Sequence, residues 1–167
     1  MTALPRRLQH HYRKLSLGRQ VALRGLIAFI ICFVFLRALT YVIHYQILPI
    51  HNLVTKSGLH IHHLFWGILL LMVTAFAALA TRDPKWHLRI AIVFGIALAL
   101  TLDEFAMWLR LADVYWEPFG KRESLTAAFI AAAFLAAYAA GAPFWNGIVG
   151  DVLGKHTRSG KPWHKAS

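Results

Sequence analysis

Four long apolar runs constrain this chain more than any other feature of it. They cover residues 21–43, 59–80, 88–111 and 125–142 and carry very little charge. A helix rises about 1.5 Å per residue, so roughly 20 apolar residues cross a hydrocarbon core about 30 Å thick. Backbone groups in lipid must find partners within the segment, which makes helix the expected form of all four runs. The expected fold is an all-α membrane protein. It is read as a four-transmembrane-helix up-down bundle over 21–153, between basic tails at 1–20 and 154–167. Composition agrees: 58% of the residues are hydrophobic and 15% charged, against about 25% charged in an ordinary soluble domain.

The net charge is +11, which in a soluble protein would point to nucleic acid. Here the basic residues gather at the two tails and in the short loop 81–89, so no nucleic-acid partner is expected. Those segments hold thirteen Lys and Arg, against four (Lys56, Arg110, Lys121, Arg122) in the other two loops. The positive-inside bias then places both termini in the cytoplasm. The tails are expected to meet anionic lipid headgroups. The first run is too long for a signal-peptide core and lacks a clear cleavage site, so it reads as a retained anchor.

Local signals fill in the boundaries. Arg82-Asp83-Pro84-Lys85 reads as a tight turn, because proline disfavours helix at the residue before it. Ser124 reads as the N-cap of the fourth span. In that span Ala128, Ala132, Ala136 and Ala140 recur every four residues, a spacing that lets helix backbones approach closely in lipid. Packing within the bundle is the first expectation for this stripe, and a homodimer seam the second. Cys32 is the single cysteine and excludes an intramolecular disulfide.

Ionisable residues within a membrane span are costly and stand as functional candidates by default. Here they fall in one layer toward the outer face: Arg37 and His44 in the first span, His60, His62 and His63 opening the second, and Asp103-Glu104 in the third. His60 and His63 share a helical face while His62 points elsewhere. If the helix begins only at His62, an extended His60-x-His62 pair shares a side instead. Asp103 and Glu104 diverge by about 100° on a continuous helix, so both face inward only at the edges of a broad face. Small neighbours (Ala97, Ala99, Thr101, Ala106) permit tight packing around them.

Neutral imidazole with carboxylate is the ligand set of zinc and non-haem iron. The expected metal ligands are His60, His63 and Asp103, with His62 in reserve and Glu104 as general base or fourth ligand. Asp113, in "LADVYWEPFG", is placed to orient a ligand imidazole. The plainer expectations are a histidine collar at the membrane surface and a structural ion pair between Arg37 and a carboxylate. One arginine does not neutralise two buried carboxylates, which leaves room for a metal or a held proton.

The segments "LHIHHLFWGILL" and "ALTLDEFAMWLRLADVYW" resemble those of an uncharacterised family of small bacterial integral inner-membrane proteins. The resemblance implies a bacterial inner-membrane location and supplies no activity. Three functions are compatible with the sequence. The first is a metal-dependent enzyme acting on a lipid or other amphiphile. The second is a proton- or cation-handling transporter or membrane-complex subunit. The third is a scaffold whose polar cluster pins the helices together.

Overall fold

A computed structural model describes residues 10–47 and 62–152. The described residues are helical apart from short connections. They form α1 (Leu17–His44), α2 (His63–Ala80), α3 (Pro84–Asp103), α4 (Phe105–Arg110) and α5 (Pro118–Val152). Four segments are long and apolar enough to cross a membrane: Leu17–His44, His63–Ala80, Pro84–Asp103 and Pro118–Gly141. The chain divides into two compact units, residues 16–139 and a second made of 1–15 with 140–167. In the second, the described parts include a helical turn at His10–Arg13 and the part of α5 after residue 139.

Within residues 16–139, α3 is the central helix and packs along both α1 and α2. Its inner face is built from the smallest residues: Ala91, Gly95, Ala97, Ala99 and Thr101 are all buried. The approach to α1 is closest at Gly95, where an added Cβ would fall inside contact distance of the Gly25 carbonyl oxygen and 2.9 Å from the Phe29 nitrogen. Both obstacles are backbone, so the helices themselves would have to move apart. Gly95→Ala is expected to lower stability by about 1–3 kcal/mol, the usual range for overpacking, read as an earlier thermal unfolding transition in detergent. An unchanged transition would show that the α1–α3 seam is compliant. Above this seam, Phe29, Leu36, Ala99 and Ala128 form an apolar cluster against which Ala132 packs. The lipid-facing surface is the reverse: Ile31, Val34, Phe35, Phe76, Leu79 and Phe134 are all exposed.

The alanine stripe expected in the fourth span does turn inward along Ala128 and Ala132, while Ala133 and Ala137 stay exposed. The turn at Arg82–Lys85 also follows the sequence. Asp83 accepts a hydrogen bond from the Lys85 amide at 2.8 Å, and Pro84 occupies the first helical position of α3, where its missing N–H costs nothing.

Three boundaries differ from the sequence reading, each for a visible reason. The third run is two helices, because α3 ends at Asp103 and the chain turns at Glu104 (φ −104°, ψ 20°) before α4 begins. The fourth span starts at Pro118, seven residues earlier than expected, and α5 runs to Val152 with a break at Gly141 (φ 19°, ψ 127°). Ser124 therefore lies inside α5 and caps nothing there. Its hydroxyl instead accepts the Ala106 amide at 3.2 Å. That amide lies in the first turn of α4, where a helix has no internal acceptor to offer. The serine thus caps a helix, though one distant in sequence.

Candidate functional site

The break at Glu104 makes the site possible. On an unbroken helix the two neighbouring carboxylates would splay apart. The turn carries both inward instead, leaving Asp103 0% and Glu104 5% exposed. Each then meets charge or hydrogen-bond donors from other elements, as buried carboxylates must.

Asp103 is held from α1 and from the loop after α4. Arg37 Nε lies 2.6 Å from Asp103 Oδ1. That N–H is not aimed at the oxygen, so the contact is an ion pair without an aligned hydrogen bond. Arg37 Nη2 donates to the Asp103 backbone carbonyl at 3.0 Å. This carbonyl is left open by the end of α3, and a cation is favoured at that helix end. The guanidinium also sits 5.0 Å from the Tyr115 ring and 5.3 Å from the Phe33 ring. Tyr115 donates its hydroxyl to Asp103 Oδ2 at 2.9 Å, and its oxygen lies 3.0 Å from the Thr40 hydroxyl. The loop carrying Tyr115 comes close to α5 at Gly120, where a Cβ would collide with the Val114 carbonyl.

Burial and the neighbouring Asp103 charge push the Tyr115 hydroxyl well above its ordinary value of 10.0. A raised acid group stays neutral in the folded state after its unfolded counterpart has ionised. Folding stability is therefore unaffected below about pH 10 and falls as the pH rises beyond it. In an absorbance titration at 295 nm, one tyrosine is expected to resist ionisation until the protein unfolds. Tyr115→Phe should remove that late component, and a wild-type titration completed near pH 10 would contradict this reading.

Glu104 is held by the start of α2. Its Oε2 accepts the Leu64 amide at 2.8 Å, one of the open N–H groups of that helix, which has no side-chain cap of its own. A carboxylate is favoured there by the positive end of the helix. Glu104 Oε1 lies 3.0 Å from His62 Nδ1 and 3.4 Å from His63 Nδ1. The other nitrogen of His63, Nε2, lies 3.1 Å from Asp103 Oδ2. His63 therefore stands between the two carboxylates. His62 joins it because α2 begins only at His63 and His62 is still extended (φ −70°, ψ 144°).

The sequence candidates thus separate. Arg37, His62, His63, Asp103 and Glu104 come together. His60 lies outside the described residues. His44 stacks on Trp116, with ring centroids 3.6 Å apart, and Asp113 is exposed; no contact places either on the carboxylates. Sequence reasoning turned His62 away and gave Tyr115 no polar role. The only hint of Tyr115 was the aromatic density of "DVYW" in a short loop. Among the described residues, no three His, Cys, Asp or Glu side chains form a ready-made metal cage. The chain matches no protein-family model, no curated protein and no solved structure.

Proposed function

We propose that this chain is a bacterial inner-membrane protein that binds a divalent transition metal, zinc or iron, at the outer end of its helices. His62, His63 and Glu104 are the ligands and Asp103 orients His63. The observation that carries this reading is the pairing of His63 Nδ1 with Glu104 Oε1 at 3.4 Å. An ionised Asp103 can only accept, so His63 Nε2 bears the hydrogen between them. In a neutral imidazole that leaves Nδ1 as an acceptor, facing another acceptor in Glu104. Two acceptors at this distance call for a shared cation, either a proton or a metal.

The fit favours a metal. Donors at about 2.0–2.1 Å around a tetrahedral zinc stand about 3.3 Å from one another. The separations of 3.0 and 3.4 Å fall around that value. Asp103 would then be the carboxylate behind a ligand histidine, an arrangement that fixes the ring and raises its basicity. A fourth position would be open to water or to His60. Such an ion polarises a bound water or an ester oxygen, which is the chemistry that hydrolysis of a membrane amphiphile needs. In this assignment Glu104 is a ligand and helix cap, because Oε2 is committed to Leu64.

The scaffold reading has an observation of its own, namely that both carboxylates already have partners. A transport pathway has less support. Thr74, a buried polar residue deep in α2, bonds back to the Leu70 and Leu71 carbonyls of its own helix. The test of the metal reading is elemental analysis of protein purified without chelators. About one equivalent of a transition metal is expected, and metal-free protein that takes up none on titration would exclude it.

A further inference from the structure

We infer that the face of α5 beside the Trp116 loop binds an anionic phospholipid, with its phosphate at Lys121 and Arg122 and an acyl chain along Leu125 and Phe129. The inference does not depend on the metal site.

A groove of about 450 Å³ is lined by Pro118, Lys121, Arg122, Leu125, Thr126 and Phe129. Their spacing puts them on one stripe of the helix. Polarity changes in order along it. The two cations lie near its start, and Phe129, 74% exposed, lies about 12 Å farther down the helix axis from Lys121. A phospholipid presents the same order from phosphate to chain.

The cations are available to a ligand. Among the described residues neither Lys121 nor Arg122 is ion-paired. Glu123, their nearest acid in sequence, is bound by Arg110 through both Nε and Nη2. Glu117, one turn earlier, is exposed and offers Lys121 only its backbone carbonyl. The Lys121 ammonium is held 5.0 Å from the Trp116 ring centroid, which keeps it at the aromatic level where headgroups lie. Basic pairs at this level attract anionic lipid. A second copy is a poorer occupant, since two-fold contact through this face would bring like charges together. The residue before Trp116 is Tyr115, which bonds Asp103, so a lipid seated here lies against the loop that covers the buried cluster.

The test is native mass spectrometry of the full chain in mild detergent, with phosphatidylglycerol and phosphatidylcholine offered in equal amounts. Phosphatidylglycerol is expected to be retained about tenfold or more in excess. Lys121→Gln/Arg122→Gln should abolish that preference, while Lys121→Arg/Arg122→Lys and the tail variant Lys161→Gln/Lys165→Gln keep it. Equal retention of both lipids by the wild type would overturn the proposal. So would a preference that survives the glutamine pair, or soluble glycerol phosphate competing as well as the lipid. A dimer that dissociates when the cations are removed would assign the face to a second copy and overturn it too. Should the glutamine pair fail to fold, the wild-type lipid comparison and the glycerol phosphate competition still decide.

Discussion

His63→Ala is expected to bring bound metal down from about one equivalent to background, with the helices intact. His63 would supply one of three protein ligands and is the only side chain that touches both buried carboxylates. Its removal takes away a donor and the link between Asp103 and Glu104 together. Asp103→Asn should act differently, because the ligands remain and only their orientation suffers. A metal affinity about 10–100-fold weaker, measured by chelator competition, is the usual scale for such a partner. His62→Ala should resemble His63→Ala, since His62 Nδ1 is the nitrogen nearer Glu104 Oε1. Glu104 variants are the least informative, because loss of its carboxylate also uncaps the Leu64 amide and weakens the start of α2. Circular dichroism and thermal unfolding of each variant separate metal loss from misfolding. Undiminished metal in His63→Ala would remove the proposed centre.

The fold was legible because its main signal is a length. Runs of apolar residues announce membrane-length helices whatever their neighbours do, and Pro84 and Asp83 mark the start of α3 within four residues of the sequence reading. The site was legible as a set of residue types and a depth: Arg37, the histidines and Asp103-Glu104 were all candidates. Its geometry was not, for a local reason. Helical periodicity turned His62 away and splayed the two carboxylates, and both conclusions assume an unbroken helix. The chain departs from helix at His62 and again at Glu104, the two points where the polar groups meet. Neither break has a glycine or proline to signal it. They coincide with contacts between elements distant in sequence: Glu104 on the Leu64 amide, Arg37 on the Asp103 carbonyl, Ser124 on the Ala106 amide. Such bonds replace the local caps that a sequence scan looks for. The same cause misplaced Ser124, which has the right residue type for a cap and serves a helix other than its own.

Arg37→Met is expected to cost about 3–5 kcal/mol of stability, because it leaves the fully buried Asp103 with no cation beside its Oδ1. The measurement is reversible unfolding in mixed micelles, compared with Asp103→Leu and with the double variant Arg37→Met/Asp103→Leu. Replacing both partners by apolar groups removes the stranded charge and the desolvation cost together, so the double variant should lie much nearer the wild type than either single change. This cycle separates a scaffold from a metal site. If the cluster only pins α1 to α3, restored stability is restored function, and chelator competition should find any bound metal unchanged. If Asp103 holds the His63 ring for a metal, the double variant folds and yet binds metal 10–100-fold more weakly, roughly as Asp103→Asn does. Tyr115→Phe calibrates the result. It removes one hydrogen bond to Asp103 Oδ2 and leaves the ion pair, so its stability loss should be about 0.5–1.5 kcal/mol. A double variant as unstable as Arg37→Met alone would mean that Asp103 is not the charge Arg37 serves, and the assignment of their pairing as the anchor of the site would fall with it.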